Sequence, residues 1–334
     1  MMGKEIMDER GRREGMRIYF APMEGITDAI FRQAYQACFG GVDKYFMPFV
    51  SPSPSLSYTG REEYDIAPEQ NRGLHAVPQI LARDAVCFLG AAGDFREMGY
   101  TEVNLNLGCP SGTVTGKGKG AAMLRDVVEL QRFLDQVYAN VSMPVSIKTR
   151  IGFDDPGEWE RLLPVFARYP VHELILHPRT RQELYRGMPH REAVSAALNY
   201  LKCPVIYNGD LFTARDVTEL QREFPGLSGV MLGRGLLANP ALFREMNGGP
   251  ALETEDMARF HDYLFRAYMK RWRPVTVVGR MHIFLKYFAH CLDVPGKLLR
   301  DALKENKQEE YLEAAGRLFR QARLKEDPRY TQPS

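Results

Sequence analysis

Eight short apolar runs, most of them followed by an amphipathic stretch, fill roughly the first 245 residues of this 334-residue chain. That alternation constrains the fold more than any other feature. The runs are RIYFAPM (17–23), KYFMPFVS (44–51), HAVPQIL (75–81) and EVNLNLG (102–108). They continue with VSIKTRIGF (145–153), ELILHP (173–178), PVIYNGD (204–210) and GVMLGRG (229–235). Between them lie stretches such as DAIFRQAYQACF and DVVELQRFLDQVYAN, with apolar residues at the three- and four-residue spacing of a half-buried helix. The second run is the exception, because SPSPSLSYTGREEYDIAPEQNR reads as loop with at most a short helix. Eight strand-then-helix units of this size predict an α/β fold, a (β/α)8 TIM barrel. A doubly wound sheet would have fewer units and a GxGxxG after its first strand. The first run here ends in APMEG.

After Asn247-Gly248-Gly249-Pro250 the alternation stops. The rest carries helical patterns only, from EDMARFHDYLFRAYMKRW to EEYLEAAGRLFRQARL, which predicts a small all-α bundle of about four helices. The expected organisation is a disordered lead-in over 1–16, a barrel over 17–247 and a helical domain over 254–325. Net charge over the whole chain is only +2, yet residues 255–334 hold 16 Lys and Arg against 11 Asp and Glu. A basic flank of this kind suits a phosphate-contacting surface, Lys270, Arg271 and Arg273 included, and also suits an ordinary solvated helical face. The five cysteines (38, 87, 109, 203 and 291) show neither CxxC nor Cys/His ligand spacing. A disulfide framework or zinc site is therefore not expected, and a reducing cytoplasm is. No apolar run reaches 18 residues, and the charged start MMGKEIMDERGRREG lacks the apolar stretch of a signal peptide. A monomer is the default expectation.

Chemistry in such a barrel sits where the strands end. Polar residues there are Gln79, Asn106, Cys109, Lys148, Arg150, His177, Arg179, Asn208, Asp210 and Arg234. No carboxylate pair converges with histidines, so divalent-metal chemistry is not expected. The pairs Asn208-Gly209-Asp210 and Gly233-Arg234-Gly235 close the last two strands, the usual place for a phosphate. Lys148 lies inside an apolar run, where an ammonium needs a partner, such as an electron-rich ligand, or a route to solvent. Cys109 stands between a glycine and a proline at a strand end, ahead of a loop with Gly112, Gly116, Lys117, Gly118, Lys119 and Gly120. Most free cysteines are small buried hydrophobes, which fits Cys38, Cys87 and Cys291. Cys109 at a mobile cationic loop reads instead as a nucleophile or a proton donor.

Taken in order, APMEGITD (21–28), NLNLGCP (104–110), GKGKGAAML (116–124), SIKTRIG (146–152), HPRTR (177–181), YNGD (207–210) and MLGRGLLANP (231–240) resemble the flavin-dependent tRNA dihydrouridine synthases, in their bacterial branch. The resemblance implies an FMN-binding barrel, a helical domain that helps hold tRNA, and NADPH as the reductant of the flavin. Selected uridines in tRNA would be reduced to 5,6-dihydrouridine. By the same resemblance Ala21, Pro22 and Met23 would lie along the isoalloxazine, and Gln79 and Lys148 would contact its polar edge. His177, Asn208, Gly209, Asp210, Gly233 and Arg234 would surround the phosphate. Asn106 would hold the uracil with Tyr185 and Arg179 beside it, and Cys109 would be the general acid. Two departures stand out: Pro178 replaces the family's glycine, and SGTVTGKGKG lacks paired basic residues directly after the cysteine motif.

Rival readings remain at this level. A free-pyrimidine reductase resembling the dihydroorotate dehydrogenases would leave the basic tail without a role. A non-catalytic RNA-binding barrel would have no need of intact strand-end polar residues. A phosphosugar lyase would place a lysine where Leu174-Ile175-Leu176 stands.

Overall fold

The computed structural model describes residues 16–325. The lead-in expected over 1–16 falls, except for residue 16, outside them. The chain divides into two compact units. Among the described residues, one comprises 16–29, Val42–Gly209 and Leu220–Leu232; the other comprises Ile30–Gly41, Asp210–Glu219 and 233–325.

The first unit is a parallel barrel. Its strands are β1 (Arg17–Phe20), β2 (Lys44–Phe46), β3 (Ala76–Val77), β4 (Gln79–Ile80), β5 (Val103–Leu107), β6 (Val145–Gly152), β7 (Leu174–Thr180), β8 (Val205–Tyr207) and β9 (Gly229–Leu232). Their order is β3-β2-β1-β9-β8-β7-β6-β5-β4. All eight expected runs form strands, and the ninth arises because Pro78 splits the third. Proline has no N–H for the ladder. β3 therefore pairs with β2 and β4 pairs with β5, and the single residue between them closes the ring.

The barrel interior has two kinds of wall. Tyr19, Ala21, Phe46, Val77, Ile175, Ile206 and Met231 form a buried apolar cluster. The wall of β4, β5 and β6 is polar. Period-two alternation puts Asn104 and Asn106 on the same face of β5 as Ser146, Lys148 and Arg150 on β6. The register sets Gln79 beside Asn104 and Asn106 beside Lys148. The stretch after β2 contains the short helix allowed for it, Gly60–Ile66, opened by a capping box between Thr59 and Glu62.

In the second unit the four expected helices are Thr254–Met269, Pro274–Phe288, Gly296–Lys304 and Gln308–Gln321. One feature departs from a purely helical tail: Leu292–Asp293 and Arg323–Leu324 pair as a two-residue antiparallel ladder. A pairing this short leaves no periodic signal in sequence. Phe31, in the helix that follows β1, stacks on Phe284 at 5.3 Å and meets Phe260 edge-on at 5.7 Å. No helix among the described residues is long and apolar enough to cross a membrane.

Candidate active site at the strand ends

A hydrogen-bonded ladder runs up the polar wall and ends at the backbone of Cys109. Cys109 and Gly108 donate their N–H groups to Asn106 Oδ1, at 2.9 and 3.1 Å. These two bonds fix the amide's orientation, so Asn106 Nδ2 faces and donates to Gln79 Oε1 at 2.7 Å. Gln79 Nε2 then donates to Asn104 Oδ1 at 2.7 Å, and Asn104 Nδ2 to Ser146 Oγ at 2.9 Å. Ser146 Oγ donates to Glu102 Oε1 at 2.6 Å. Each amide orientation follows from the one before it. Every member except Gly108's neighbour Cys109 is buried, where such groups are stable only when paired. Asn106, expected to hold a base, thus shapes the cysteine turn and keeps one amide N–H to spare.

The loop after Cys109 is folded against it. Ala121 donates its N–H to the Cys109 carbonyl at 3.2 Å, and Lys119 Nζ donates to Ser51 Oγ at 2.7 Å. Gly118 and Gly120 have φ of +69° and +60°, and a Cβ at 120 would lie 2.9 Å from the Cys109 carbonyl oxygen. Glycine at these two positions answers a left-handed backbone and a close approach, not only a need for mobility.

Cys109 is half-buried. Burial raises its thiol pKa, as, to a lesser degree, does the charge of Glu24. The Ser111 backbone and the charges of Lys148 and Arg150 pull the other way without winning. The group is therefore a thiol at neutral pH, with cations placed to receive negative charge on sulfur. Lys148 has no hydrogen-bond or ion-pair partner among the described residues. Surrounding protein, then Arg150, lower its pKa to about 8, yet the side chain is partly accessible to solvent.

At the end of β7, His177 is buried and its ring lies 5.9 Å from that of Tyr185, which is exposed. Arg150 sits over the Tyr185 ring at 5.4 Å. Arg179, expected beside a base, is fully buried and donates to the carbonyls of Arg186 and Gly187. Ala21 is buried and bonded to Leu232, while Pro22 and Met23 are half-buried after β1. Asn208 donates its amide to the Met231 carbonyl at 2.8 Å, and a Cβ on Gly209 would come within 3.3 Å of Tyr207 Oη. In the second unit, Asp210 and Arg234 form an ion pair at 2.6 Å. Asp210 has φ of +38°, and Gly233 precedes the helix Arg234–Ala238.

Sequence reasoning passed over Asn104 and Ser146, whose role appears only when three strands are in register. It also missed a group at the strands' N-terminal ends. There Glu102, His172 and Glu173 bring ligand atoms within 4.8 Å of one another, with Lys44 Nζ bonded to both carboxylates.

The family model for dihydrouridine synthase matches residues 19–322. This chain belongs to the dihydrouridine synthase family. It is 34% identical over 285 residues to the tRNA-dihydrouridine(16) synthase of Pseudomonas putida, spanning 81% of this chain and 87% of that protein. The tRNA-dihydrouridine synthase B of Pasteurella multocida is 31% identical over 69% of this chain and 68% of its own length. A probable tRNA-dihydrouridine synthase 2 of Bacillus subtilis is 30% identical over 84% of this chain and 89% of its own. Family membership makes the chain an oxidoreductase. A solved structure of a morphinone reductase variant in complex with tetrahydroNAD matches with a TM-score of 0.50 at 14% identity, covering 73% of this chain and 90% of that one. That likeness concerns the barrel fold alone.

Proposed function

We propose that this enzyme reduces the C5–C6 double bond of selected uridines in tRNA, with FMN bound at the barrel mouth, NADPH as the reductant and Cys109 as the general acid. The observation that carries the reading is the Cys109 turn, fixed by the Asn106 ladder, together with Lys148, which has no hydrogen-bond or ion-pair partner among the described residues.

The donor set fits a flavin. Lys148 offers an unpaired cation to an electron-rich ring edge, and Gln79 retains one amide N–H beside it. Pro22 and Met23, half-buried after the buried Ala21, are the residues proposed to lie along the flat ring. His177, Asn208 and Gly209, with Asp210, Gly233 and Arg234 next along the chain, are the residues proposed to hold its phosphate. FMN, when bound, supplies the hydride that reaches uracil C6.

This chain's residues do the rest. Cys109 transfers its proton to C5, so the C5–C6 π bond is replaced by two C–H bonds and sulfur is left as thiolate. Lys148 and Arg150 offset that charge, and water returns the proton. Asn106 directs its remaining N–H to a uracil carbonyl, and Tyr185, exposed above His177, offers a ring against the splayed-out base. The exposed Lys270, Arg271 and Arg273 of the second unit contact tRNA phosphates.

The test is Cys109→Ala. The variant should retain flavin and lose about 10²-fold or more of dihydrouridine formation on unmodified tRNA. Wild-type turnover of free uracil or orotate at the tRNA rate would redirect the reading to a free-pyrimidine reductase. Full activity of Cys109→Ala would remove the acid from it.

A further inference from the structure

The carbonyls of Gly108 and Pro110, the residues on either side of Cys109, each accept a hydrogen bond from an arginine, one that is bonded to the Tyr185 loop and one that lies within it. Arg150 is fully buried in β6. Its Nε donates to the Gly108 carbonyl at 3.0 Å. Its Nη1 donates to the carbonyls of Thr180 and Leu184, each at 2.7 Å. On the other side of the cysteine, Arg181 Nε donates to the Pro110 carbonyl at 3.2 Å. Arg181 lies in the loop itself, and its own N–H is bonded to the Gly152 carbonyl at 3.0 Å. Leu184, which precedes Tyr185, has φ of +55°. For a non-glycine residue that conformation persists only when its surroundings impose it, and the Arg150 bond to its carbonyl is one such constraint.

We propose that Arg150 and Arg181 act as positioning residues: a two-armed latch that locks the Cys109 turn to the Tyr185 loop, so that thiol and ring move as one body. The proposal deepens the reading of Cys109 as the acid and Tyr185 as a base contact, and it rests on that reading only for its effect on turnover. A planar fork suits the task, because one guanidinium reaches carbonyls on two segments at fixed angles. A lysine at 150 would keep the charge and lose the geometry. The two roles of Arg150, tying and charging, are therefore separable.

The experiment reads the thiol directly. Alkylation of Cys109 by iodoacetamide is followed against pH by peptide mass spectrometry, which distinguishes it from the other four cysteines. Wild type, Arg150→Lys, Arg150→Met and Arg181→Met are compared, each with and without Tyr185→Ala. In wild type, Tyr185→Ala should change the alkylation rate severalfold, because the loops are joined. In Arg150→Lys the midpoint pH should stay, while the Tyr185→Ala effect disappears. Arg150→Met should also move the midpoint to higher pH, because a cation that favours the thiolate has gone. On tRNA, Arg150→Lys should lower kcat by about 10- to 100-fold with KM unchanged, the signature of a misplaced acid. Should the Arg150 variants fail to fold, Arg181→Met, half-buried and outside the strand, carries the test through its weaker arm. If the Tyr185→Ala effect on alkylation persists undiminished in Arg181→Met and in any Arg150 variant that folds, the latch is overturned. That result would leave the acid role of Cys109 standing, since it concerns alkylation and not turnover.

Discussion

Two lysines point into the same barrel from opposite ends and meet opposite surroundings. Lys44, at the start of β2, is buried and ion-paired with Glu102 at 2.6 Å and with Glu173. Tyr19 Oη donates to Glu173 at 2.7 Å, and Arg17 adds an ion pair at 3.1 Å. Lys148, midway along β6, has neither carboxylate nor carbonyl bonded to it among the described residues. In a barrel of this type the N-terminal face serves stability and the C-terminal face serves chemistry. The difference lies in who completes the charge: the protein itself at one end and, on the proposed reading, a bound flavin at the other. Lys44→Met should then give the largest loss of stability. It leaves two buried carboxylates facing each other and should lower the unfolding free energy by about 3–5 kcal/mol in urea titration. A neutral Lys44→Met would mean that the ion group contributes no more than an apolar plug.

Lys148→Met should do the reverse. Folding stability stays level or rises, while flavin affinity falls by about 10- to 100-fold, the value of a charge-assisted contact. The pH dependence sharpens the contrast. A lysine whose folded pKa is about 8 lies below its unfolded value near 10.4. Its burial therefore penalises folding fully below pH 8, and the penalty lifts as pH rises from about 8 to about 10.4. The stability gap between ligand-free wild type and Lys148→Met should narrow across that window. Flavin affinity should fall across the same window in wild type only. A gap independent of pH would show that Lys148 has a partner in solution.

The difference between the two ends also separates what the sequence discloses from what it hides. The eight apolar runs were legible because each strand's burial is written locally, in runs such as ELILHP and GVMLGRG. The split at Pro78 was legible in principle, since proline cannot join a ladder. The ladder from Glu102 to Cys109 was not. Asn104, Gln79 and Ser146 lie on three strands, and only the register Gln79–Asn104–Ser146 brings them together. Arg150 was visible as a strand-end cation, but its partners, the carbonyls of Gly108, Thr180 and Leu184, are backbone atoms that no motif records. The Lys44 group was hidden for the same reason: Glu102 and Glu173 lie 71 positions apart in the chain. Nor does AIFRQAYQAC announce that Phe31 stacks on Phe284, because aromatic pairing across 250 residues has no local signature.

Between the extremes of Lys44 and Lys148 lies a pair that is neither buried nor unpaired, and it should give the smallest effect. His190 and Glu183 bond at 2.6 Å at the base of the Tyr185 loop, both about a quarter exposed. Glu183 Oε2 also accepts the N–H of Thr180, and His190 donates its own N–H to the Pro178 carbonyl at 2.7 Å. Partial burial works against a charged His190, but the Glu183 carboxylate prevails and raises its pKa. A raised folded pKa stabilises the protonated, bonded loop fully below the unfolded value near 6.5, and the contribution is lost as pH climbs through the folded value. For a partly exposed pair the contribution is at most about 1 kcal/mol. Hydrogen exchange of the 180–190 peptide should therefore quicken only severalfold in His190→Gln at pH 6 and match wild type at pH 9. Glu183→Gln should quicken it more, because the Thr180 N–H bond weakens as well. Equal exchange in His190→Gln and wild type at pH 6 would assign the loop's order to Arg150 and Arg179 alone, through their bonds to the carbonyls of Thr180, Leu184 and Arg186.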